Sequence, residues 1–82
     1  MTMPPADESP LEQLRQYEAL AEKAYDDMYD SRSPAACYSD LKDYFRSAID
    51  AANRAGLKDE TERLTNRLVH CKQVYRRQFS SF

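Results

Sequence analysis

The chain has 82 residues, of which 41% are apolar and 32% are charged, with one glycine and no tryptophan. This length leaves room for one modest hydrophobic core, and the composition favours helices over sheet, so we expect a single all-α domain. A formal net charge of -2 gives no global reason to expect nucleic acid or an acidic membrane surface as a partner.

The segment 1–8 contains Pro4 and Pro5 and is interpreted as a flexible tail before one domain at 9–82. It lacks the basic and apolar regions of a secretory signal, and no apolar run in the chain approaches the roughly 18 residues that span a bilayer. Cys37 and Cys71 are too few for a disulfide scaffold and fall on different predicted helices, so we expect free thiols. The sequence therefore predicts a cytoplasmic protein that makes no use of a membrane.

The first helix is predicted over 10–30. Ser9-Pro10-Leu11-Glu12 is typical of a capping box, in which Ser9 accepts a backbone N–H and Glu12 returns a bond to Ser9. Apolar residues then recur every three or four positions in an arc about half the circumference wide. An arc this wide is typical of a helix that contacts two neighbours. Its members are Leu11, Leu14, Tyr17, Leu20, Ala21, Ala24, Tyr25 and Met28.

The second helix is predicted over 34–55, beginning with Ser33 as a cap and Pro34 behind it. Its apolar seam is widened on both sides, which predicts a central helix; the residues are Cys37, Tyr38, Leu41, Tyr44, Phe45, Ala48, Ile49, Ala51, Ala52 and Ala55. Gly56 followed by Leu57 is typical of a helix end, with the glycine in the left-handed conformation.

The third helix is predicted over 59–80, with Asp59 as part of an acidic, capped first turn. Its seam is Leu64, Leu68, Cys71, Tyr75, Phe79 and Phe82. Short connections make sequential helices antiparallel, so the prediction is an antiparallel three-helix bundle with up-down-up topology. A three-helix coiled arrangement and a right-angled array stay open, because one sequence does not define crossing angles.

This topology gathers large side chains at one end of the bundle and alanines at the other. We expect the helices to lie closer together at the alanine end, so a cleft or an interface belongs at the aromatic end. The rings there either fill the core or stay exposed as contact residues, and an exposed Tyr29, Tyr38 or Phe82 would indicate a protein partner. The aromatic end holds Tyr25, Met28, Tyr29, Tyr38, Tyr75, Phe79 and Phe82.

Charge is distributed unevenly along the chain. Residues 7–30 hold eight acidic and two basic residues, a net charge of -6, and residues 31–82 hold six acidic and ten basic residues, a net charge of +4. Two complementary flanks could face each other across the bundle, with Glu18, Glu22 and Asp26 on the first helix and Arg63, Arg67, His70 and Arg77 on the third. In addition, Asp26, Asp27 and Asp30 lie at the negative end of the first helix dipole, which is unfavourable. Two sources of a counter-charge stay open: Arg76 or Arg77 at the same end of the bundle, or a basic surface on another protein.

Residues for catalysis are sparse. His70 is the only histidine, and its neighbour Cys71 points about 100° away, so the two do not form a nucleophile and base. Cys37 lies where a helix dipole can activate a thiol, although a small core residue is the expected role. We predict no catalytic residue, no metal and no cofactor. Nucleic-acid binding is disfavoured, because the arginines of the third helix fall on two flanks and the first helix is acidic.

Residues 44–52 (YFRSAIDAA), followed by Gly56-Leu57 and a second helix, resemble the helical hairpins of tetratricopeptide-type repeats. The three-helix layout is similar in outline to microtubule-interacting-and-transport domains. Because no 34-residue period repeats across the chain, we assign neither family.

The leading hypothesis is a non-enzymatic interaction module, a small helical adaptor or inhibitor that binds a protein partner. A basic surface on that partner is one option. The residues predicted to bind are Tyr25, Asp26, Tyr29, Asp30 and Tyr38. The first alternative is a self-associating structural protein, a homodimer formed through the aromatic end or through Val69 on helix three. The second is a thiol-dependent or metal-dependent activity.

Overall fold

The computed structural model describes residues 9–79, which form α1 (Pro10–Asp30), α2 (Pro34–Arg54) and α3 (Lys58–Phe79). These residues contain no strand, and the all-α prediction is confirmed, with every described helix boundary within one residue of the expected position. The predicted tail at 1–8 and the predicted contact residue Phe82 lie outside the described residues.

The start of α1 forms half of the predicted capping box. Ser9 is extended, and its Oγ accepts a hydrogen bond of 3.1 Å from the backbone N–H of Glu12. Pro10 occupies the first helical turn, where its missing donor costs nothing. The return bond from Glu12 to Ser9 is not formed. One orphan backbone donor is therefore capped by a side chain, and the helix begins at the predicted residue.

The start of α2 differs from the prediction. Ser33 occupies the N-cap position, but its side chain makes no capping hydrogen bond. Its backbone N–H donates instead to Ser31 Oγ at 2.9 Å, and its carbonyl accepts from Ala36 and Cys37. In the tight turn between α1 and α2, Ser33 thus forms its hydrogen bonds through its backbone. Of the two residues that predicted the start of α2, only Pro34 acts as expected.

The turn between α2 and α3 is a Schellman motif around the single glycine. Gly56 has a φ of 72°, its N–H donates to the Asn53 carbonyl at 3.1 Å, and the N–H of Leu57 donates to the Ala52 carbonyl at 2.9 Å. This confirms the predicted left-handed glycine. The predicted Asp59 cap is wrong by one position, because α3 already begins at Lys58 and the Leu57 carbonyl accepts its first bond, from Thr61.

The core is apolar among the described residues, and all three helices contribute to it. Phe45 is its largest fully buried side chain, and α2 packs against both other helices, which confirms its predicted central place. The alanines of α2 allow close approach at one end of the bundle. The buried residues are Leu14, Ala21, Ala24, Met28, Leu41, Phe45, Ala48, Ala51, Ala52, Leu64, Leu68 and Cys71.

The wide apolar arc of α1 predicted close contacts with two helices, but only one helix packs closely against α1. α1 packs closely along α2, whereas the backbones of α1 and α3 stay farther apart and are joined mainly by side chains. Three members of the arc, Leu11, Tyr17 and Leu20, remain exposed. The arc is therefore wider than the surface that α2 and α3 cover.

Candidate protein-binding surface at the aromatic pole

Five aromatic rings form a continuous row across the three helices, and we call this row the aromatic pole. Tyr25 and Tyr29 meet edge to face with centroids 5.6 Å apart, and Tyr29 lies 5.9 Å from Phe79. Phe79 stacks on Tyr75 at 5.5 Å, and Tyr75 stacks on Tyr38 at 3.8 Å with nearly parallel rings. The predicted gathering of these rings is confirmed, and ring contacts link α1, α3 and α2 in that order.

At the α1 end of the row, two tyrosines share a hydrogen bond. The hydroxyls of Tyr25 and Tyr29 lie 3.1 Å apart, one helical turn from each other. This hydrogen bond, together with burial, raises the pKa of Tyr25 to about 12. Tyr25 is therefore neutral at physiological pH and fixes the position of the Tyr29 hydroxyl.

Two rings of the pole also carry a cation on one face. Lys42 Nζ lies 4.5 Å from the centroid of Tyr38, and the guanidinium of Arg67 lies 4.9 Å from that of Tyr25. The sequence interpretation missed both contacts. The four-residue spacing of Tyr38 and Lys42 on one helix could have indicated the first, but the second depends on the register of α3 against α1.

Burial differs among the residues of the aromatic end: some pack against the core and some are exposed to solvent. Met28 is fully buried, and Tyr25 and Tyr38 are half-buried among core residues. Tyr29 keeps 46% of its surface exposed. Of the predicted contact residues Tyr25, Tyr29 and Tyr38, Tyr29 is thus the most exposed.

The complementary charged flanks meet along α1 and α3, which confirms that part of the prediction. Arg63 donates two hydrogen bonds, of 2.7 and 2.9 Å, to Glu18 and also pairs with Glu60. Arg67 donates two bonds of 2.7 Å to Glu22. Each carboxylate precedes its arginine by 45 residues, so α1 and α3 run in the same direction, as the up-down-up topology requires. The hydrogen bonds from Arg63 hold the pKa of Glu18 below its usual value despite partial burial.

The flanks do not extend to the acidic end of α1. Asp27 pairs with Lys23 at 3.0 Å, but Asp26 and Asp30 are exposed and form no ion pair with any residue of 9–79. The proposed neutralisation by Arg76 or Arg77 does not occur within this range. Asp26 precedes Tyr29 by about one helical turn, and Asp30 follows it in sequence about 100° around the helix, so the end of α1 that carries the exposed ring also carries two carboxylates without an ion pair in 9–79.

One pocket formed by the described residues lies away from the aromatic pole. A cavity of about 520 Å³ lies at the opposite end of the bundle, between the start of α1 and the turn at Gly56. The stacked rings of Tyr38 and Tyr75 fill the space between α2 and α3 at the aromatic pole, whereas Gly56 contributes no side chain to its turn. The sequence predicted a cleft or an interface at the aromatic end, and which of the two forms there stays a prediction.

The reactive residue types are dispersed among the described residues. His70 is exposed on α3, as predicted, and neither cysteine forms a disulfide. Burial raises the pKa of Cys71 to about 11, which makes it a poor nucleophile, while Cys37 is half-buried at the start of α2. No group of three histidine, cysteine or acidic side chains within 9–79 has the arrangement of a metal site.

The described helices include none with the length and apolar character to cross a bilayer. The chain was compared with protein-family models, with curated proteins and with solved structures, and no match was found in any of the three.

Proposed function

We propose that this protein is a non-enzymatic protein-binding module, a small adaptor or inhibitor, whose contact surface is the aromatic pole with the adjoining acidic end of α1. The observation that carries the proposal is the exposed ring of Tyr29 at the end of α1, in a segment whose carboxylates Asp26 and Asp30 form no ion pair with any residue of 9–79. Tyrosine is favoured at binding hot spots, because its ring offers a large contact area with few rotatable bonds. Tyr25 contacts this ring directly, whereas Tyr38 lies at the other end of the row, beyond Phe79 and Tyr75.

The charges at this surface favour a partner with a basic patch. Asp26 and Asp30 lie at the C-terminal end of α1, where the helix dipole adds negative potential to their own charge. An arginine or lysine from the partner would offset part of this negative charge and could also contact the exposed part of the Tyr29 ring. The contacts of Lys42 and Arg67 with neighbouring rings support this, because they are the same type of interaction within the chain.

Affinity capture with a Tyr29→Ala, Asp30→Lys variant tests the proposal. A Glu62→Lys, Gln73→Ala variant is the matched control, because it makes the same kind of charge reversal and side-chain truncation at exposed positions of α3. We expect the native chain and the control to retain a partner that the pole variant loses. Equal retention by all three proteins would exclude the pole as the contact surface.

A second candidate function is self-association, for which the 45% exposure of Val69 on α3 is the supporting observation. A symmetric contact through the pole is less favourable, because it would bring Asp26 and Asp30 of two copies together. Sedimentation at several concentrations separates the candidates. A monomer throughout the micromolar range would exclude a stable homodimer.

We place this module in the cytoplasm. Cys37 and Cys71 are both free thiols, and Cys37 is partly accessible to solvent. Reducing compartments keep such thiols unpaired, whereas small secreted domains commonly use their cysteines in disulfides. Fractionation of cells that express the chain would test this location.

A further inference from the structure

A shallow groove lies between α1 and α2, on the far side of α1 from the ion pairs with α3. Its apolar surface is formed by Leu20 and Ala24 of α1 and by Cys37 and Tyr44 of α2. Leu20 is 43% exposed although it belongs to the apolar arc of α1. None of these residues belongs to the aromatic pole, so the groove is a separate surface.

The size of the groove limits what it can hold. Its volume is about 160 Å³, well below the roughly 300 Å³ at which small-molecule sites begin. This space suits one large apolar side chain inserted from another protein. Tyr17, exposed one turn before Leu20, extends the apolar strip along α1, so a partner can make contacts on both sides of that anchor.

The two edges of the groove differ in charge. On the α1 edge, Lys23 and Asp27 neutralise each other at 3.0 Å. On the α2 edge, Asp40 and its neighbour Asp43 are exposed, one turn apart, and no residue of 9–79 forms an ion pair with either. The α2 edge therefore carries two negative charges without a counter-charge in that range.

This asymmetry distinguishes between possible occupants. A symmetric contact with a second copy would bring two acidic edges together. Lys23 would not offset their charge, because it already pairs with Asp27. A partner with basic residues beside its apolar contact would place them on Asp40 and Asp43. A helix is the element that best fits beside two antiparallel helices, where it would complete a four-helix arrangement.

We propose that the α1–α2 groove is a docking site for an amphipathic helix of a partner protein, with one apolar residue inserted beside Leu20 and a basic flank along Asp40 and Asp43. The proposal is independent of the function assigned to the aromatic pole. It accounts for the exposure of Tyr17 and Leu20, two of the three exposed members of the α1 apolar arc.

Titration of the isotope-labelled chain with synthetic helices, followed by NMR, tests the proposal. The probe is an amphipathic peptide of about four turns with a leucine stripe and an arginine flank. The control peptide has the same stripe with glutamates in place of the arginines. We expect the arginine peptide to shift the resonances of Leu20, Ala24, Cys37 and Tyr44, and to bind at least about tenfold more tightly than the glutamate peptide.

Variants then assign the contacts. An Asp40→Lys, Asp43→Lys variant should weaken binding of the arginine peptide by about tenfold, and Leu20→Glu should remove it. These positions are exposed, and circular dichroism would confirm that both variants fold. Glu62→Lys and Tyr29→Ala should each leave the affinity unchanged, since they alter α3 and the aromatic pole.

Several results would overturn the proposal. They are equal affinity for the two peptides, no binding up to about millimolar peptide, shifts that map to the aromatic pole, and binding that is insensitive to the Asp40→Lys, Asp43→Lys change. Concentration-dependent shifts of Leu20 and Cys37 without peptide would also overturn it, because they would identify a second copy as the occupant.

Discussion

Arg67 of α3 donates two hydrogen bonds of 2.7 Å to the carboxylate of Glu22 on α1, and its guanidinium also lies 4.9 Å from the ring of Tyr25. Arg67 thus forms an ion pair between α3 and α1 and also contacts a ring of the aromatic pole. Because the backbones of these two helices are not closely packed, contacts of this kind position α3 against α1. They also hold the half-buried ring that supports Tyr29.

Replacement of Arg67 by lysine should destabilise the bundle although the positive charge is kept. Lysine offers a point charge in place of a planar fork, so it loses one bond to Glu22 and the stacking on Tyr25. We expect a loss of about 1 kcal/mol, which lowers the melting temperature of a domain this small by roughly 4–8 °C. Thermal unfolding followed by circular dichroism measures the change. Arg77→Lys, at an exposed position without an ion pair in 9–79, is the control, and equal melting temperatures would contradict the assigned role.

Glu18 should make stability depend on acid pH. Its pKa is lowered in the folded chain by the hydrogen bonds from Arg63, so the ionised pair stabilises the fold above the unfolded pKa of about 4.3. This contribution is lost as the pH falls through the lower, folded pKa. We expect Glu18→Gln to reduce stability at pH 7 by under about 1 kcal/mol and to flatten the decline below about pH 4. Urea unfolding at a series of pH values tests this, and Glu62→Gln should keep the native pH profile.

Substitution of Gly56 should lower the free energy of unfolding because of the backbone conformation at this position, and not because of steric contacts. Its φ of 72° is unfavourable for residues with a Cβ atom, yet a Cβ placed there meets nothing within 4 Å. Gly56→Ala should therefore cost about 1–2 kcal/mol, and Gly56→Asn less, because asparagine tolerates the left-handed region. Urea denaturation of both variants provides the comparison. A loss with asparagine as large as that with alanine would argue against this explanation.

The two cysteines should differ in their reaction with alkylating reagents. Cys71 is fully buried, and burial raises its pKa to about 11, so it has neither access to reagent nor a significant thiolate population near neutral pH. Cys37 is half-buried at the groove. Iodoacetamide labelling followed by peptide mass spectrometry should modify Cys37 in the folded chain, and Cys71 at a comparable rate only in denaturant. Equal labelling of both in the native state would contradict the described core.

Local signals in the sequence determined most of the secondary structure. Pro10, Pro34 and Gly56 mark helix ends through backbone geometry that acts within a few residues, so each was predicted to within one position. The periodicity of apolar residues identified buried positions such as Leu41, which follow from helical geometry. The short connections then required antiparallel neighbours. These features need no knowledge of long-range contacts.

Tertiary structure decided which apolar and charged residues remained available for contact. Tyr29 and Met28 both belong to the predicted aromatic end, yet one is exposed and the other is fully buried. Exposure depends on which neighbouring helix covers a position, and this depends on the register between helices far apart in sequence. The same register joined Glu22 to Arg67 while leaving Asp26 without an ion pair among residues 9–79. The sequence alone indicated the composition of the acidic, aromatic end, and only the packing of α3 against α1 and α2 determined which of its side chains face solvent.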